Sequence, residues 1–205
     1  MSNVKCVLLN NDKLDIIKDD FEKHLNISNL QTYFPILSLF FNFYNESNKS
    51  FILKSNFLIK RIINEIDFVK DDSYIKHFFN CEITNLYTNE SYNKNIFIKI
   101  LPLVNVIQYM MNDYNFNHNS KLPNIHNYLT LKKINDYHNT SYIDSFFSFI
   151  SSKLTENGKC PTFPLFFGTF TGTSKTFMHD ISEDFSSIKH TNWYNKFLND
   201  TFSIQ

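Results

Sequence analysis

The first glycine of this chain is residue 158, and only Gly168 and Gly172 follow it. Glycine supplies backbone conformations that side chains obstruct, so its absence limits which loops the chain can build. Neither a G-x-G-x-x-G dinucleotide loop nor a G-x-x-x-x-G-K-[ST] phosphate loop can exist in the first three quarters of the sequence. Part of this scarcity is compositional. Ala is missing and Arg61 is the single arginine, while Asn, Lys, Ile, Phe and Tyr abound. The depleted residues have largely GC-rich codons and the enriched ones AT-rich codons, which points to an AT-biased gene. The N-x-[ST] triplets at Asn26, Asn45, Asn48, Asn89, Asn139 and Asn199 follow from the same bias and are no sign of secretion.

With 20 basic and 20 acidic side chains the 205-residue chain has no net charge. That argues against a protein whose affinity comes from neutralising many phosphates, so no nucleic-acid partner is expected. A 42% hydrophobic, 17% aromatic composition can bury a substantial core. Near the N-terminus only Val7-Leu8-Leu9 is apolar, too short for a signal peptide, and the stretch Phe34 to Phe43 is too short to span a bilayer. Cys6, Cys81 and Cys160 are odd in number and widely spaced, which reads as reduced thiols rather than a disulfide framework or a zinc set. A soluble intracellular protein, neither secreted nor membrane-bound, is expected.

The pattern divides the chain into a helical region over 1–72 and an α+β region over 73–205. In the first, Ile16, Ile17, Phe21 and Leu25 predict one helix, and the apolar group from Leu30 to Phe43 a second, begun or kinked at Pro35. Leu58, Ile62, Ile66 and Val69 predict a third over 57–68. In the second region the runs 74–79, 82–87, 96–101, 128–131 and 163–170 predict strands. One helix stands among them, starting near Ser141 as cap with Asp144 in its first turn, burying Tyr142, Phe146, Phe149, Ile150 and Leu154, and ending at Gly158. Trp193 and Tyr194 anchor a final helix over 191–202.

Two pieces could carry chemistry. Lys99 stands in the middle of the otherwise apolar run Ile96 to Leu101. A buried ammonium is costly unless paired, so either something there needs the charge or Lys99 lies near a sheet edge and snorkels to water. Asp144 follows about 45 residues later in the first turn of the Ser141 helix. It is either an acid favoured by the helix dipole or the partner of a strand lysine. A strand lysine paired with a helix carboxylate is the arrangement that holds nucleotide phosphates in protein kinases.

The segment Ile96-Phe-Ile-Lys-Ile-Leu-Pro-Leu-Val-Asn-Val-Ile-Gln-Tyr-Met-Met111 resembles the strand-plus-helix piece of the kinase-like proteins of nucleocytoplasmic large DNA viruses, which include the giant amoebal viruses. Lys133-Ile-Asn-Asp-Tyr-His-Asn-Thr-Ser-Tyr-Ile-Asp-Ser-Phe-Phe-Ser-Phe149 and Phe163-Pro-Leu-Phe-Phe-Gly-Thr-Phe170 resemble that family's helix and next strand, in the same order. The resemblance covers 92–170 and implies a kinase amino-terminal lobe. It makes Lys99 the phosphate-binding lysine and Asp144, in place of the usual Glu, its ion-pair partner. ATP and magnesium are implied only where that site is intact, and no other cofactor is expected. It also implies host cytoplasm or a virion as location, and another viral protein or a missing C-lobe as partner.

The departures bear on activity. A kinase needs a catalytic-loop Asp and Asn and a metal-binding Asp, and the short stretch after Phe170 offers only His179-Asp180 and Asp184-Phe185-Ser186, too close together to form both sites. No catalytic or metal residue is therefore assigned, and the expectation is a fragment or degenerate lobe without phosphotransfer of its own. A fragment would continue past Gln205 into a catalytic-loop sequence. The competing expectation is a viral structural or assembly protein acting by protein-protein contact. His118 and His126 lack a third ligand at metal spacing, and Phe146, Phe147 and Phe149 read as core rather than a stacking platform.

Overall fold

A computed structural model describes residues 6–9, 11–40, 50–66, 77–114, 116 and 125–204. In chain order the elements are β1 (Cys6–Leu9), α1 (Asn11–Leu25), β2 (Ile27–Gln31), a 3-10 turn (Pro35–Leu39), β3 (Ser50–Leu53), β4 (Phe57–Glu65), β5 (Phe78–Asn85), β6 (Ser91–Phe97), α2 (Val106–Met110), α3 (Ile125–Ile134), α4 (Thr140–Glu156), β7 (Thr171–Ser174), α5 (Ser182–Ile188) and α6 (Asn192–Phe197). The class is mixed α+β. The chain divides into two compact units, residues 1–99 with 142–177 and residues 100–141 with 178–205.

The first unit is built on the antiparallel meander β4-β5-β6, with β1 paired to β3 and β2 to β7 in two smaller antiparallel sheets. Alternation along β5 explains its central place. Phe79, Cys81 and Ile83 are fully buried, while Phe78, Asn80, Glu82 and Thr84 on the other face are half-buried. Ile17, Phe21 and Leu25 of α1 and Tyr142, Phe146 and Phe149 of α4 add their buried stripes to this unit. Phe149 meets Phe166 edge-on at 5.6 Å between ring centroids, and Phe34 stacks on Tyr142 at 5.8 Å. In the second unit Met110, Ile188 and Tyr194 form the buried cluster, with Val106, Ile107, Trp193 and Phe202 packed against it.

Several sequence expectations are overturned. The region 1–72 is not helical: among its described residues α1 and the 3-10 turn alternate with four strands. The helix expected over 57–68 is strand β4. Its register shifts between Ile59 and Arg61 and again between Ile62 and Asn64, so Leu58, Ile59 and Ile62 are buried at a spacing that imitates a helix. Asp20 of α1 accepts the Ile62 backbone N–H at 2.7 Å, satisfying a donor at this irregularity. The strands expected at 74–79 and 82–87 fall on one strand, β5, which ends at Asn85 before a turn at Leu86 and Tyr87. The strand expected at 128–131 is helix α3, whose inner face places Asn127, Thr130 and Ile134 at spacings of three and four.

The run expected as a strand at 163–170 lies outside any ladder, and Gly168 within it has a φ of +135°. Pro164 has no N–H to give, and side chains take up the neighbouring backbone groups. The Phe166 N–H donates to Ser152 Oγ at 2.9 Å and its carbonyl accepts from Ser55 Oγ at 2.8 Å. A backbone hydrogen bond to β4 survives, from the Ile59 N–H to the Phe167 carbonyl at 3.0 Å, and Phe167 packs on Phe57 at 6.1 Å between ring centroids. The final helix is shorter than expected, with α5 preceding it.

Candidate functional site

α4 owes its start to Asn139 rather than Ser141. The Asn139 Oδ1 accepts the Ser141 N–H at 3.1 Å, while the Ser141 hydroxyl donates to the Pro102 carbonyl at 2.7 Å. Asp144 consequently lies in the second turn, not the first. The helix stops at Gly158, whose φ of +68° allows its N–H to reach the Thr155 carbonyl at 3.0 Å and the Lys159 N–H to reach Leu154 at 2.8 Å. This pair of bonds is a Schellman cap, and it fixes where the helix ends.

Lys99 follows β6 by two residues and is not in the strand expected over 96–101. The Ile98 N–H still donates to the His77 carbonyl at 2.8 Å, so the backbone leaves the sheet edge one residue before Lys99. The ammonium is exposed and forms an ion pair with Asp144, Nζ to Oδ1 at 3.0 Å, with side-chain exposures of 53% and 41%. Lys99 thus lies just past the sheet edge with access to water and has a carboxylate partner as well. A solvated pair contributes about 0–1 kcal/mol to stability. Fold stability therefore does not depend on it, and two of the three ammonium protons remain for an anionic group.

The C-terminal half of α4 is held by a buried polar node. Glu156, its side chain 2% exposed, accepts from Ser55 Oγ and Ser152 Oγ at 3.2 Å each and from Lys153 Nζ at 2.7 Å. Ser55 and Ser152 also hold both backbone groups of Phe166, so this node ties α4 to the segment after it. Nothing in the sequence pattern marked Glu156 as buried, because one of its partners, Ser55, lies about a hundred residues away.

Asp180 accepts from the Ser182 hydroxyl and N–H, which lowers its carboxyl pKa, while Asp184 lies within α5. His118 lies outside the described residues, as does the side chain of His126. Among the described residues no cluster of His, Cys, Asp or Glu could hold a metal ion, and no helix is long and apolar enough to cross a membrane. Burial pushes the Cys81 thiol up to about 12, making it inert, and Cys160 is a free thiol. In the second unit Gln108, Asp113, Tyr114, Lys132, Lys133 and Asp136 line an open cleft of about 210 Å³. It shares no residue with the Lys99–Asp144 pair and gave no sequence signal. No family model matches the chain, and no curated protein or solved structure is significantly similar to it.

Proposed function

We propose that this chain is a kinase-like amino-terminal lobe of the large DNA virus type, a fragment or a degenerate lobe, with a nucleotide-phosphate site at Lys99 and no phosphotransfer of its own. The observation that supports it is the 3.0 Å ion pair between Lys99 and Asp144, two residues 45 apart that the resemblance had already paired. An antiparallel meander leading to the lysine and a helix bearing the carboxylate agree with a kinase amino-terminal lobe. In this role Lys99 holds phosphate oxygens and Asp144 orients the ammonium, while magnesium arrives with the nucleotide. In a kinase lobe the glycine-rich loop joins the two strands before the lysine strand, which here are β4 and β5, and the sequence between them, 66–77, holds no glycine. A missing lobe or another viral protein would supply the catalytic groups, in the host cytoplasm or the virion.

The test is thermal unfolding with and without ATP and magnesium. At ten times Kd a nucleotide adds about 1.4 kcal/mol, a rise of about 3 °C or more for a chain of this size. Lys99→Met should remove that rise. No rise at millimolar ATP, or a rise retained in Lys99→Met, overturns the assignment.

The second reading, an assembly role through protein contact, is favoured by one specific observation. α4 is apolar on two faces, and only one of them is buried.

A further inference from the structure

The apolar side of an amphipathic helix normally faces a core. On α4 the residues Tyr142, Phe146 and Phe149 are buried, yet Ile143, Phe147, Ile150 and Leu154 are 46%, 61%, 43% and 38% exposed. Their spacing of four, three and four is that of a coiled-coil seam two heptads long, with Ile143 and Ile150 at d and Phe147 and Leu154 at a. On one side Phe40, itself half exposed, extends the patch by stacking on Phe146 at 5.0 Å.

We propose that this face binds a second copy of the same chain, α4 against α4, antiparallel about a two-fold axis between Phe147 and Ile150. Parallel dimers favour β-branched side chains at a and Leu at d, the reverse of what α4 carries. Antiparallel pairing instead sets each a residue against a d residue of the other copy. Phe147 then meets Ile150 and Leu154 meets Ile143, so every layer joins one β-branched side chain to one unbranched at Cβ. The pattern is complementary to itself, as a two-fold interface requires. Charge agrees. Asp144 and Lys153 flank the seam on opposite sides, and the antiparallel arrangement puts Asp144 across from Ser151 and Lys153 across from Phe146. The two Asp144 residues are then separated by roughly 13 Å along the axis, given the helical rise per residue.

The exposed part of the seam amounts to about 350 Å² per copy, or about 700 Å² in all before Phe40 is added, below the ~1,200 Å² of stable interfaces. The dimer is accordingly weak and concentration-dependent.

Sedimentation of the full 205-residue chain from micromolar to near-millimolar concentration tests this. The weight-average mass should rise towards twice that of the monomer, and Phe147→Glu should weaken association at least tenfold. Tyr87→Glu, a highly exposed site on the β5–β6 turn, should leave it unchanged. Lys99→Met should also leave it unchanged, which separates this inference from the nucleotide assignment. Circular dichroism checks that each variant is folded. A chain that stays monomeric throughout, or a Phe147→Glu variant that is folded and associates as before, overturns the proposal. Orientation is read by oxidative cross-linking in a Cys160→Ser background. A mixture of Phe147→Cys and Ile150→Cys chains should cross-link faster than either alone, and faster linking of Phe147→Cys with itself overturns the antiparallel arrangement.

Discussion

Gly172 is in β7 opposite β2, where a Cβ would come within 2.6 Å of Ile27 Cγ2 and 2.9 Å of the Ser28 carbonyl. The second of these is backbone and cannot swing away. Gly172→Ala should therefore cost about 1–3 kcal/mol, as overpacking does, read as a lower urea midpoint with unchanged slope. Gly158 differs, since no atom lies within 4 Å of its would-be Cβ. Gly158→Ala meets only the left-handed strain, about 1–2 kcal/mol, and Gly158→Asn should cost less. His77 gives a pH dependence. Burial lowers its pKa below 6.5, opposed by the Glu65 carboxylate, and its ring stacks on Phe79 at 6.1 Å. The folded state thus prefers the neutral imidazole. The stability linked to His77 is fully present above its unfolded pKa of 6.5 and is lost as pH falls towards the lower folded value. Between pH 7 and 5 the wild-type Tm should fall further than that of His77→Gln, and parallel curves would refute this.

Among the elements, α4 depends most on one side chain. Asn139 is 3% exposed, caps the helix through Oδ1 and donates Nδ2 to the Leu103 carbonyl at 2.7 Å. Asn139→Ala loses a cap, about 1 kcal/mol, and takes the donor from the half-buried Leu103 carbonyl, about 1 kcal/mol more. Asn139→Asp keeps the acceptor and should fall between Ala and wild type in chemical denaturation. α4 was legible in the sequence because it is long, periodic and closed by Gly158. β4 was not, because two register shifts turned a period of two into helical spacing. Turns were hidden for another reason. Asn26, Asn29, Asn89, Asn112 and Asn199 all have positive φ, so asparagine takes the left-handed positions that glycine fills in other chains. In a sequence so rich in Asn, these five could not be told from the rest.

At the scale of the molecule, the ion pair was legible and its setting was not. Lys99 stood out as a lone charge in an apolar run and Asp144 as an acid on the one clear helix. That they meet depends on β6 ending before Lys99, which the apolar run disguised. The cleft beside Lys132 and Lys133 was illegible because its residues come from three stretches with no common motif. Charge and surface together give the last prediction. The chain has no formal net charge and a sequence pI of about 7.0, while Leu39, Tyr87, Phe147 and Ile125 are all more than half exposed. Near neutral pH nothing opposes association through apolar surface. Solubility in polyethylene glycol should pass through a minimum near pH 7 and rise towards pH 8.5 as net negative charge builds. The alkaline arm is the clean one, because below pH 6.5 the loss linked to His77 offsets the gain from protonated histidines. Phe147→Glu adds one acid and removes part of the α4 face, so it should move the minimum to lower pH and raise solubility at pH 7. A minimum unchanged by that substitution would mean that exposed surface other than the α4 seam controls self-association.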